Sequence, residues 1–127
     1  MARFTSSAPT GIPQRAKYWT DGKIHYPELT WNGKHVYITY DGNWDAIFLP
    51  EDSSSNLPIG FTFTIVTDEM MGSFLYLQAN DTEVTRLTAV GLGQSNYGYD
   101  VDQNSMTTVI KIDSNRWIVS GYGLVID

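Results

Sequence analysis

Hydrophobic positions in this chain recur mainly with a period of two, in short runs separated by Gly, Asn, Asp, Ser and Pro. The clearest run spans residues 57–66, LPIGFTFTIV, where Phe61, Phe63 and Ile65 alternate with Thr62, Thr64 and Val66 after a Pro58-Ile59-Gly60 lead-in. Alternation in β-branched and aromatic residues predicts a strand with one face in a core. The opposite face, Thr62, Thr64 and Val66, is less polar than an open surface requires. It is therefore expected to be covered by a neighbouring subunit or by the N-terminal segment.

The same pattern predicts strands through most of the chain. Asp21-Gly22 reads as a turn between Lys17-Tyr18-Trp19 and Lys23-Ile24-His25. Asn32-Gly33 reads as a hairpin loop, because type I′ needs positive φ at both central residues. A three-residue loop at Asp41-Gly42-Asn43 would then pair Tyr40 with Trp44, Ile38 with Ala46 and Val36 with Phe48, all on the face of Leu29 and Trp31. Register follows burial, so residues 28–49 are expected to form an antiparallel three-stranded meander. Residues 50–56 (PEDSSSN) form a polar connection, and a further strand runs from Phe74 to Ala79. Residues 80–89 fit either a short helix through Val84 and Leu87 or an edge strand through Val84, Arg86 and Thr88. Residues 91–96 read as a loop and 97–102 as extended chain. Near the C-terminus a two-residue loop at Ser114-Asn115 pairs Ile112 with Trp117, Ile110 with Val119, Asp113 with Arg116 and Lys111 with Ile118. Leu124 to Ile126 supply a last short strand. Phe61, Phe63 and Ile65 would then share a core with Val36, Ile38, Tyr40, Ile110, Ile112 and Trp117.

Many short strands separated by turn residues predict an all-β fold, an antiparallel β-sandwich or barrel of jelly-roll type. Residues 1–15 depart from the pattern. Pro9 and Pro13 exclude both a helix interior and a central strand there, so an extended N-terminal arm (1–15) is expected ahead of a single domain (16–127). A chain of 127 residues suffices for one self-standing core, burying roughly two-thirds of its surface.

Charge and composition narrow the function classes. A net charge of −6 with only eight Lys and Arg is ill-suited to phosphate backbones or to anionic membrane surfaces. No run approaches the roughly 18 apolar residues of a membrane span, and the N-terminus lacks the apolar region of a secretory signal. There are no cysteines, which removes disulfides and thiolate metal sites.

The candidate chemistry is thin. His25 and His35 fall opposite Tyr40 and Thr30 in the expected register, too far apart for a zinc pair. Asp100-Val101-Asp102-Gln103-Asn104 matches the start of a calcium loop, but Ser105 stands where the sharp turn needs Gly and Lys111 where a bidentate Glu belongs. The carboxylates at Asp21, Asp41, Asp52, Asp68 and Asp81 sit in turns, where turn geometry explains them. No serine lies in a nucleophile elbow, and Gly91-Leu92-Gly93 does not open a phosphate-binding helix. No enzyme, metal or cofactor is expected. Asn80-Asp81-Thr82 fits a glycosylation sequon. Tyr97, Tyr99, Trp19 and Trp44 offer either aromatic platforms for sugars or packing for a core or subunit contact.

Two stretches carry a resemblance. LPIGFTFTIV (57–66) followed by TTVIKIDSNRWIVSGYG (107–123) resembles small β-rich modules of tailed-bacteriophage virion proteins, in which an LP-x-G-F strand precedes an I-K-x-x-x-N-x-W-x-V-x-G hairpin. Such modules occur in tail fibres, head fibres and capsid decoration proteins. The resemblance, a short chain and a single Pro-rich arm imply a capsid decoration (cement) subunit on the virion exterior. It is expected to be homotrimeric and to bind the capsid protein through Phe4, Ile12 and Pro13 of the arm and through Thr62, Thr64, Val66, Tyr97 and Tyr99. The alternative is a receptor- or carbohydrate-binding module of a tail fibre or baseplate, using Tyr97, Tyr99 and the loop at 91–104.

Overall fold

The structure, a computed structural model, describes residues 14–15, 24–38, 45–67, 75–79, 84–91, 93–94, 98–121 and 124–126. Twelve strands form among them: β1 (Gln14–Arg15), β2 (Ile24–His25), β3 (Lys34–Ile38), β4 (Asp45–Leu49), β5 (Thr62–Thr67), β6 (Leu75–Ala79), β7 (Arg86–Ala89), β8 (Gly93–Gln94), β9 (Tyr99–Val101), β10 (Met106–Asp113), β11 (Arg116–Gly121) and β12 (Leu124–Ile126). Short 3-10 turns at Leu29–Trp31 and Asp52–Ser54 are the helical elements described. The all-β expectation holds.

The strands belong to two sheets, one ordered β1-β3-β5-β10-β11-β7-β8 and the other β12-β9-β6-β4-β2. Both are mixed, and neither closes into a barrel. The expectation of a purely antiparallel fold is corrected: β1–β3, β3–β5, β7–β11, β2–β4 and β4–β6 all pair in parallel. The cause is a chain that alternates between sheets. From β1 to β6 successive strands fall in opposite sheets, so β1–β3, β2–β4, β3–β5 and β4–β6 are each crossed by a strand of the opposite sheet, while β7 and β11 are separated by β8, β9 and β10. A parallel pair needs such a crossover, which in most folds is a helix.

This topology overturns the meander expected over residues 28–49. β3 and β4 lie in different sheets and do not pair. Leu29–Trp31 is a 3-10 turn rather than a strand. Asn32 has φ −59° and ψ 125° and Gly33 has φ 74°, the signature of a type II turn, which needs positive φ only at its second central residue. The run Ala46-Ile47-Phe48-Leu49 explains the difference. Ala46, Ile47 and Leu49 are all buried, as befits an interior strand with both faces covered, which reads as a continuous apolar run rather than an alternation. The remaining partners proposed for that ribbon, Tyr40 and Trp44, lie outside the described residues.

The stretch that alternates best behaves as expected. Phe61, Phe63 and Ile65 are fully buried, with Thr62, Thr64 and Val66 half-buried on the other face. Phe63 stacks edge-on with Trp31 at 5.2 Å, and Phe61 with Trp117 at 6.1 Å. One core joins side chains of both sheets: Val36, Phe63, Ile65, Val109 and Trp117 from the larger, and Ile47, Leu49, Leu75, Leu77 and Tyr99 from the smaller. Residues 86–89 resolve as a strand, with Leu87 and Ala89 inward.

The C-terminal hairpin keeps its loop but changes its register. Asp113 pairs with Arg116 as expected. Beyond it Ile112 is an extra, bulged residue, so Lys111 pairs with Trp117, Ile110 with Ile118 and Val109 with Val119. One inserted residue reverses which side chains face the core. Ile110 and Ile112, expected inside, are 39% and 38% exposed, while Lys111 is 4% exposed.

Candidate functional site

The bulge places a lysine inside the molecule, and its ammonium organises the connection between β4 and β5. Lys111 Nζ lies 2.6 Å from Asp52 Oδ1 and donates to the carbonyl of Leu57 at 2.7 Å. Asn115, in the left-handed region at φ 53°, completes the clasp: the Asp52 N–H donates to its side-chain oxygen at 2.7 Å. The Lys111 hydrogen bond is the largest influence holding the Asp52 carboxyl below its ordinary value near 3.8, partly opposed by desolvation and reinforced by the Asn115 backbone. Charge-assisted hydrogen bonds to a carboxylate stabilise its ionised form. A polar stretch rich in serine is thereby fixed against the hairpin.

That fixed stretch forms one wall of a groove of about 610 Å³. Pro50, Ser54, Ser55, Asn56 and Leu57 line this side, and Tyr26, Pro27, Glu28, Leu29 and Thr30 line the other. The second wall is built by the 3-10 turn, in which the Trp31 N–H donates to the Glu28 carbonyl at 2.8 Å. The Tyr26 ring stands perpendicular to Phe48 at a centroid distance of 6.3 Å. Tyr26 and Leu29 remain about half exposed, while Pro27, Pro50 and Leu57 form a buried floor. The side chains of Tyr26, Glu28, Thr30 and Asn56 make no hydrogen bond to a described residue.

A second surface is the outer face of the larger sheet. Thr62, Thr64 and Val66 of β5 lie beside Ile110, Thr108 and Met106 of β10, and Ile110 and Thr108 beside Ile118 and Ser120 of β11. None of these side chains is charged, and Met106 is 56% exposed. Thr64 and Thr108 share a hydrogen bond at 3.0 Å across the strands.

The residues expected from sequence to bind a partner separate into three groups. Thr62, Thr64 and Val66 come together on this outer face. Tyr99 does not join them: it is fully buried, and its hydroxyl accepts from the Ala89 N–H at 3.1 Å and donates to the Leu87 carbonyl at 3.3 Å. An aromatic platform on Tyr99 is therefore corrected to a core role. Phe4, Ile12, Pro13 and Tyr97 lie outside the described residues, as do Trp19 and the sequon at Asn80. Gln14 and Arg15, the end of the expected arm, pair with Val36 and Tyr37 as β1.

The candidate metal positions also find places. His25 pairs with Ile47 in the smaller sheet and His35 with Thr64 in the larger, replacing the partners expected from the meander. In the acidic loop, Asp102 Oδ1 accepts from the Gln103 N–H at 2.8 Å, and its carbonyl accepts from Thr67 Oγ1 and Ser105 Oγ. These contacts close a turn, with Asn104 at φ 53°. Among the described residues no group of three or more His, Asp or Glu is placed to hold a metal ion.

Neither the groove nor the clasp was visible in the sequence. The groove joins two segments some twenty residues apart whose lining residues, taken singly, read as turn residues. Comparison of the chain with family models, curated proteins and solved structures finds no match.

Proposed function

We propose that this chain is a non-enzymatic structural subunit that works by burying surface: a capsid decoration (cement) protein of tailed-bacteriophage type, folded as a β-sandwich. The observation that carries this reading is the uncharged patch on the outer face of β5, β10 and β11, which runs from Val66 and Met106 to Thr62, Ile110 and Ile118 and is bounded at one end by Asp113 and Arg116. Contiguous exposed apolar side chains on a sheet are characteristic of interaction surfaces, and the cores of protein interfaces are depleted in charge. Ile110 and Met106 supply apolar area, and the threonines between them supply hydrogen-bonding groups that a partner strand or loop can satisfy. The sequence resemblance to virion modules supports the same reading, with the segment at 1–15 as a second contact to the shell and a homotrimer as the bound form.

The test is co-sedimentation of the chain with purified capsids, together with light scattering for its oligomeric state. The chain is expected to pellet with capsids, and Met106→Glu combined with Ile110→Glu to abolish this while the monomer stays folded. Deletion of residues 2–15 is expected to weaken occupancy. Full binding by the double variant would overturn the assignment of this face, and absence of capsid binding by the unaltered chain would overturn the function.

A further inference from the structure

The groove between residues 26–30 and 50–57 has a chemistry of its own, independent of the assembly reading. Its volume of about 610 Å³ lies within the roughly 300–1,000 Å³ usual for small-ligand sites. Both walls are fixed before any ligand arrives, one by the Lys111 bonds to Asp52 and Leu57 and the other by the 3-10 turn and the Tyr26–Phe48 contact. Preformed walls spare a ligand the cost of ordering them.

The lining selects a ligand class. Among the described residues that line the groove there is no Lys or Arg and one carboxylate, Glu28. An anion such as a phosphate, sulfate or sialic acid would meet a negative group on a chain of net charge −6 without a compensating cation. A wholly apolar ligand would desolvate the Tyr26 phenol, Glu28, Thr30 and Asn56 without pairing them, which is costly. A neutral polyhydroxyl ring meets both demands. Its hydroxyls match the carboxylate, amide and hydroxyl groups as donors and acceptors, and its C–H face suits the half-exposed Tyr26 ring over the proline and leucine floor.

We propose that this groove binds a neutral mono- or disaccharide, with Tyr26 as the stacking platform and Glu28 and Asn56 as hydrogen-bonding groups. The test uses the full chain on an array of neutral, sialylated and sulfated oligosaccharides, followed by calorimetric titration with the best-retained neutral disaccharide. Retention of neutral glycans in preference to sialylated and sulfated ones is expected. Tyr26→Ala should weaken affinity at least tenfold and Asn56→Ala severalfold, whereas Tyr26→Phe should retain most of it. Because Tyr26 and Asn56 are surface residues, thermal unfolding within a few degrees of the unaltered chain will show that these variants fold. A blank array, a preference for anionic glycans or binding unaffected by Tyr26→Ala would each overturn the proposal.

Discussion

The Lys111 ammonium, on a side chain only 5% exposed, sits 2.6 Å from the carboxylate of Asp52, which is 34% exposed. This unequal burial makes the two ends of the pair non-equivalent. Asp52→Ala would leave a buried cation with the Leu57 carbonyl as its remaining acceptor among the described residues, and an unpaired buried charge is the costly case. Lys111→Met would instead leave a carboxylate that water can reach, and would keep an apolar stem in the core. Asp52→Ala is therefore expected to destabilise by about 2–3 kcal/mol and Lys111→Met by about 1 kcal/mol or less. The double variant should be more stable than Asp52→Ala alone. Urea titrations of the three proteins decide this, and equal losses for the two single variants would refute the asymmetry.

The same pair sets an acid limit on stability. Because Lys111 first, and the Asn115 backbone after it, hold the folded Asp52 carboxyl below its ordinary value near 3.8, the unfolded chain takes up this proton more readily than the folded one. The contribution is fully present above about pH 4 and disappears as pH falls through the lowered folded value. Partial exposure of Asp52 moderates its size. Thermal midpoints measured downward from pH 6 should fall more steeply below pH 4 in the unaltered chain than in Asp52→Asn. Parallel curves would show that Asp52 is not linked to folding.

The bulge at Ile112 yields a direct test of register. Val109 is fully buried and Ile110 is 39% exposed, the reverse of what uninterrupted alternation from the Ser114-Asn115 loop implies. Val109→Ala should cost about 1.5–3 kcal/mol through lost burial and a residual cavity, and Ile110→Ala well under about 1 kcal/mol. In a domain of this size each kcal/mol lowers the melting temperature by roughly 3–6 °C, so calorimetry separates the two. A larger loss for Ile110→Ala would favour the unbulged pairing.

These residues also show where the sequence was legible. Phe61, Phe63 and Ile65 announced their strand because period-two alternation is a local property, set by one buried and one less-buried face. The parallel pairing was not legible. Whether β3 meets β4 or β5 depends on which sheet each strand joins, a nonlocal choice that leaves its only trace in the continuous apolar run at 46–49. The bulge was illegible for a related reason: Ile110 and Ile112 are the more hydrophobic side chains, and only the acceptors offered by Asp52 and Leu57, more than fifty residues away, make Lys111 the better inward residue. Of the outer face, Thr62, Thr64 and Val66 could be read in advance. The groove could not, because its walls acquire meaning only when the clasp brings them together.

Tyr99 provides the last test, because its hydroxyl spans the two sheets. The ring is on β9 of the smaller sheet, while the groups it bonds, the Ala89 N–H and the Leu87 carbonyl, belong to β7 of the larger. Tyr99→Phe preserves the packed ring and removes only the oxygen, leaving a buried backbone donor and acceptor short of a partner. The expected cost is about 1–2 kcal/mol. It should appear locally as faster hydrogen exchange at the Ala89 amide, while the amides of β5 change only with global stability. Tyr99→Ala should cost about 3–5 kcal/mol, the range for emptying an aromatic site in a core. A platform tyrosine serving a partner would behave in the opposite way, losing binding on truncation with little change in stability. Unchanged unfolding of Tyr99→Ala would therefore return this residue to the surface and separate the two sheets at this point.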